Sequence, residues 1–234
     1  MKTKLFAFLA GGLFVASAWA DGNTIDKIYT PYVQPLEKEL EYQLLVERDD
    51  PETEDQRLRH KFGFGSAVSE HLFVEGYALF SDTDNLEHEG YELEFRYQLT
   101  EQGEYDSDWG VMFELERESE DDKWEAAVGL LNTREWKNWL ITTNLFVIRE
   151  WGSHIDAELE TTAALQAKYR QSPNFEPGLE LFVSQDTLAI GPAFSGQWKT
   201  TTSDKLLWQF GVYWGVKDET PDTTVKFQLE YEFF

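Results

Sequence analysis

Carboxylates dominate the reactive side chains of this 234-residue chain, with 44 aspartates and glutamates against 20 lysines and arginines, four histidines and no cysteine. A carboxylate can move protons, ligate a hard cation or simply set the sign of a field. Nucleophilic chemistry needs a base beside the nucleophile, and the bases are few: His60, His71, His88 and His154. Ser153 precedes His154, but neighbours on a strand point to opposite faces. The chain has no GxSxG. No catalytic residue and no cofactor are assigned, and an enzyme is not expected.

Metal chemistry has two candidate segments. Asp82, Asp84, Glu87, His88 and Glu89 crowd one, and Asp49, Asp50, Glu52, Glu54 and Asp55 crowd another. Hard cations such as Ca²⁺ want oxygen ligands, but neither segment has EF-hand spacing. The simpler reading is a solvated acidic surface.

The elements that position these carboxylates have period two. Tyr91, Leu93, Phe95, Tyr97 and Leu99 alternate with Glu92, Glu94, Arg96, Gln98 and Thr100. On a strand this gives one apolar face and one charged face. The pattern recurs and predicts twelve strands, at 36–48, 56–68, 72–81, 90–100, 106–118, 123–132, 137–150, 155–170, 177–185, 188–199, 204–217 and 223–234. Pro192 cannot donate to a ladder, and a bulge is expected there.

Residues 1–20 read as a cleaved signal peptide: Lys2 and Lys4, an apolar run from Leu5 to Val15, then Ala18-Trp19-Ala20. The formal charge of −24 becomes −26 once Lys2 and Lys4 leave with it. Such a field repels phosphates, so nucleic acid is excluded as a partner. No later stretch has the length of a membrane helix, and 15% aromatic content argues against disorder. Export, strands long enough to cross a bilayer and aromatics near strand ends together predict an all-β, antiparallel up-and-down transmembrane barrel over 36–234. A periplasmic segment is expected at 21–35. Acidic connections after odd strands are expected outside, and the other set in the periplasm.

The closing sequence KFQLEYEFF (226–234) resembles the C-terminal assembly signal of Gram-negative outer-membrane barrels, although Phe234 falls on the face opposite Phe233. FEPGLELF (175–182), GPAFSG (191–196) and TPD (220–222) add a looser resemblance to porin- and transporter-like barrels of proteobacteria. The resemblance implies the outer membrane, with lipid and lipopolysaccharide around the barrel, and recognition of the last strand by the assembly machinery.

In such a barrel the charged faces project inward. Glu39, Glu41, Glu92, Glu94, Glu114, Glu116, Glu158 and Glu160 would face Arg57, Arg59, Lys61 and Arg96 across the lumen. Ladders of opposite charge are expected between the first two strands. Acids outnumber bases, so the expected function is a cation-preferring channel or transporter for small solutes. The alternatives are a non-conducting barrel with a surface-binding, structural or metal-handling (Ca or Cu) role, and a barrel enzyme acting on outer-membrane lipid. A lumen between the filled eight-stranded and open sixteen-stranded cases leaves its openness undecided.

Overall fold

The computed structural model describes residues 25–49, 56–82, 85–119, 122–153 and 157–234. The expected signal peptide, Asp84, most of the 49–55 cluster and His154 fall outside these residues. Alternation sorts every apolar set to one face, and the chain closes on itself to bury its backbone polar groups. Among the described residues it forms β1 (Lys38–Arg48), β2 (Arg57–Ala67), β3 (Leu72–Asp82), β4 (Leu86–Gln98), β5 (Asp108–Glu118), β6 (Lys123–Trp136), β7 (Trp139–Gly152), β8 (Glu158–Tyr169), β9 (Glu176–Val183), β10 (Leu188–Lys199), β11 (Lys205–Gly215) and β12 (Thr223–Phe233). Each strand pairs antiparallel with the next, and β12 pairs with β1 to close the barrel. Closure leaves no unpaired edge, which hydrocarbon would not tolerate.

The two faces are inverted relative to a soluble protein. Leu40, Phe62, Phe64, Leu93, Val128, Leu145, Val147 and Ile190 are exposed on the outside, while Glu39, Glu41, Glu75, Glu94, Glu180 and Lys226 are buried within. Apolar-out and polar-in is the partition lipid imposes. Aromatics ring both rims. Trp109, Trp136, Trp139, Tyr169 and Trp198 lie toward the end where β1 starts and β12 finishes, the terminal end. Tyr91, Trp124, Trp151 and Trp214 lie toward the opposite, loop end. The cross-strand pairs Trp136–Trp139 and Trp124–Trp151 tie β6 to β7 at the two rims.

Two irregularities differ from the sequence expectation. The register through Pro192 is unshifted: Ile190 pairs with Trp214 and Ala193 with Gly211. Proline is accommodated because the ladder toward β11 skips it. The bulge falls instead at the loop end of β3 and β4, where Leu79 pairs with Gly90 but Phe80 with His88. The extra residue, Glu89, is held by Arg57 at 2.6 Å.

Lipid exposure of the outer face predicts a depth-dependent penalty. Val128 is mid-strand and 60% exposed. Val128→Arg is expected to lower folding stability in bilayers by about 2–4 kcal/mol, with Val128→Leu nearly neutral, measured as the shift in urea-unfolding midpoint.

Candidate functional site

The lumen is occupied by the chain's own N-terminal segment. Residues 25–35 run inside the barrel toward the terminal end, turn at Pro35–Leu36 and continue into β1. The expected periplasmic segment is therefore intraluminal wherever it is described. Leu36 adopts φ 69°, a left-handed conformation that a leucine takes only when its surroundings fix it. Burial at the barrel's end pushes the adjacent Glu37 carboxyl up to about 7, and the nearby Glu232 carboxylate adds to the rise.

Apolar sockets receive the segment. Ile25 is buried among Leu45, Phe182, Ala189 and Tyr213. Tyr29 is buried against Met112 and Leu131, with Phe146 beside them. Full burial of such side chains stabilises by about 1.5–3 kcal/mol each. Polar contacts fix the register. Asn144 accepts from the Tyr29 amide at 2.7 Å and donates to the Tyr29 carbonyl at 2.8 Å, while the Tyr29 hydroxyl donates to Glu94 at 2.5 Å. The Val33 amide donates to Gln98 at 2.7 Å, and the Tyr32 hydroxyl to Asp108 at 2.8 Å. Gly110 is required here, because a Cβ at that position would lie 2.9 Å from Pro31 Cβ.

Three buried ammonium groups organise the charge. Lys27 hydrogen-bonds Glu41 and lies 3.3 Å from Glu230, 3.7 Å from Glu39 and 3.8 Å from Glu75. Lys61 lies 2.8 Å from Glu92, 3.1 Å from Asp26 and 3.7 Å from Glu94, over the Tyr77 ring. Lys226, fully buried, donates to Glu180 at 3.0 Å and to the Asp26 carbonyl at 2.9 Å. Two unit charges 4 Å apart interact by about 4 kcal/mol at an effective dielectric of 20.

The expected charge ladder between β1 and β2 forms only in part. Arg59 reaches Glu47 at 3.9 Å, but Arg57 turns to Glu89 and Lys61 crosses to β4. Glu41 and Glu39 sit opposite Gly63 and Gly65. With no side chain across from them, Glu41 is neutralised by Lys27, and Glu39 lies near both Lys27 and the buried Arg96. Arg96 stacks its guanidinium 4.9 Å over Phe73.

Toward the loop end the lumen widens to a vestibule of about 800 Å³, floored by Ile25–Tyr29 and walled by Glu114, Glu116, Glu125, Glu150, Glu158 and Glu160. Lys123 bridges Glu118 at 2.6 Å and Glu150 at 3.4 Å. The candidate metal segment forms no metal-binding group among its described members. Glu87, His88 and Glu89 all border the vestibule, but the His88 ring packs against Phe80 and Tyr91, Glu89 is paired with Arg57, and Asp82 ends β3. Ser153 donates to Asp122 at 3.0 Å. Sequence reasoning missed the segment and its sockets, although Leu45, Met112, Leu131, Phe182 and Tyr213 are apolar residues on otherwise polar faces.

A closed twelve-stranded barrel with an apolar exterior and a charged, partly filled lumen defines a transmembrane β-barrel of the outer-membrane type. No family model and no curated protein matches the sequence. Solved structures share the fold at low identity. An outer-membrane channel from Pseudomonas putida F1 superposes with a TM-score of 0.60 at 13% identity, over 89% of this chain and 98% of that one. The KdgM porin in complex with disordered oligogalacturonate gives 0.56 at 10%, over 84% and 98%. The translocator domain of the autotransporter NalP from Neisseria meningitidis gives 0.51 at 7%, over 86% and 88%.

Removing one partner of a buried ion pair strands the other. Lys226→Met is expected to destabilise the barrel by about 3–5 kcal/mol, and adding Glu180→Gln should restore much of the loss, read from unfolding midpoints of the single and double variants.

Proposed function

We propose that the protein is an outer-membrane channel for small cationic solutes, closed in this form by its own residues 25–35. The observation that carries this reading is the sign of the lumen. Carboxylates of β1, β3, β4, β5, β8 and β12 line it, and its buried cations are outnumbered by them. Charged walls of one sign concentrate counter-ions and exclude co-ions. Oligogalacturonate, the ligand of the KdgM porin, is a polyanion, and this lumen would repel it.

Outer-membrane location is supported by the apolar belt, the two aromatic rims and the shared fold. On this reading the acidic connections face the exterior and the vestibule opens outward. Its partners are outer-membrane lipid and lipopolysaccharide, the assembly machinery acting on the C-terminal strand, and the solute. The filled lumen favours one second reading, a non-conducting barrel whose acidic mouth acts at the surface.

Reversal potentials across a KCl gradient in planar bilayers separate the two. Rare openings with cation preference are expected, and Glu92→Gln with Glu94→Gln should weaken that preference. Tyr29→Ala removes a packed aromatic at a cost of about 3 kcal/mol, so the open-to-closed ratio should rise on the order of a hundredfold. No current from either protein, with folding shown by heat-modifiable gel mobility, would leave the non-conducting barrel.

A further inference from the structure

The Lys27 ammonium group sits where four strands of the barrel converge their carboxylates, Glu39 and Glu41 from β1, Glu75 from β3 and Glu230 from β12. None of the four comes from the segment that carries Lys27. The cage belongs to the wall, and the cation belongs to the removable part. Gln228 donates to Glu41 Oε1 at 3.0 Å and Tyr77 to Glu41 Oε2 at 3.3 Å, so one carboxylate is held in place independently of the lysine. Glu39 and Glu75 are 1% and 2% exposed, and each keeps an Oε1 that accepts no hydrogen bond. An ammonium group has three donors, and this cage has more acceptor capacity than Lys27 fills.

We propose that the cage is the channel's solute site and is built for a primary ammonium group, with Lys27 as a tethered stand-in that fills it while the lumen is closed. The inference rests on the channel reading above and supplies its solute class, small aliphatic amines and diamines. Carboxylate oxygens of Glu39, Glu41 and Glu230 lie within 4.8 Å of one another, a spacing that a metal ion could also use, and it is the ammonium group of Lys27 seated among them that points to an amine. Lys27 also lines the vestibule, whereas the four cage carboxylates do not, so a solute entering from the loop end reaches the cage only once the segment moves.

Lys27→Ala deletes three carbons and the nitrogen, a volume that propylammonium replaces. Calorimetry on the refolded full-length variant should show saturable 1:1 binding of propylammonium and 1,4-diaminobutane at least tenfold tighter than to the unsubstituted protein. Tetramethylammonium, with equal charge and no N–H, should not bind comparably. Glu41→Gln with Glu230→Gln in the same background should abolish the effect. Should Lys27→Ala refold poorly, its recovery by propylammonium but not by tetramethylammonium is the same result read through folding. Equal effects of all three cations, tighter binding of Ca²⁺, or no amine effect on binding or refolding would overturn the proposal. Reversal potentials on the same variant keep the two readings apart. Cation-selective current without amine binding removes the cage and leaves the channel, whereas amine binding without current removes the channel.

Discussion

The rest of the structure depends on neutralising carboxylates that have nowhere else to point. A barrel in lipid must turn its charged faces inward, and once closed it has a fixed, narrow space in which to hold them. Glu39, Glu41, Glu75 and Glu230 converge near the terminal end, and their own strands offer too few cations: Glu39 and Glu41 have glycines across from them on β2. Lys27 resolves this from within. A segment outside the strand pattern thus becomes a structural part of the lumen, and its entry is fixed further by Asn144, Gln98 and Glu94, which hold its backbone and the Tyr29 hydroxyl.

Glycine shapes the same space. Side chains of Phe73, Tyr77, Phe146 and Tyr213 lie flat over Gly65, Gly63, Gly129 and Gly211, where any Cβ would meet them at under 3 Å. Laying rings against the wall keeps them out of the axis. The Tyr77 ring then supports Lys61, and Tyr213 hydrogen-bonds Glu180. Close packing and charge placement are therefore largely one arrangement here, because Phe73, Tyr77 and Tyr213 each also contact a charged group, while Phe146 packs beside the Tyr29 socket.

The strands were legible because lipid and lumen enforce period two over long runs, broken only at single positions. The twelve segments read from alternation match the observed strands to within three residues, apart from β4, which begins four residues early because its bulge lets pairing continue past Gly90, and β6, which runs four residues further, to Trp136, through residues expected to form a turn. The lumen segment was not legible. Ile25, Tyr29 and Val33 recur every four residues, which is neither alternation nor part of a longer helical pattern, and they carry no signal without their sockets. The sockets themselves are single departures from alternation: Leu45 among glutamates, Met112 between Gly110 and Glu114, Phe182 after Glu180. Each is unremarkable alone. They have meaning only when closure brings β1, β5, β6, β9, β10 and β11 to face one axis, and a sequence pattern cannot bring them together. The carboxylate cage is hidden for the same reason, since β1 and β12 become neighbours only by closure.

Opening the lumen is constrained by this arrangement. Withdrawing residues 25–35 releases Ile25 and Tyr29 from apolar sockets at a roughly additive cost, and water can cover those sockets. Withdrawing Lys27 is different, because it removes the ammonium group from among Glu39, Glu41, Glu75 and Glu230 and leaves Arg96 as the wall cation beside them. The open state therefore has the higher affinity for a cation at that point. By linkage, any cation that binds there favours opening by the same factor by which opening favours its binding. On the proposed channel reading, charge compensation inside a closed wall makes occupancy by the segment and occupancy by a solute alternatives for one site, and the acidity of the lumen would then act on gating as well as on selectivity.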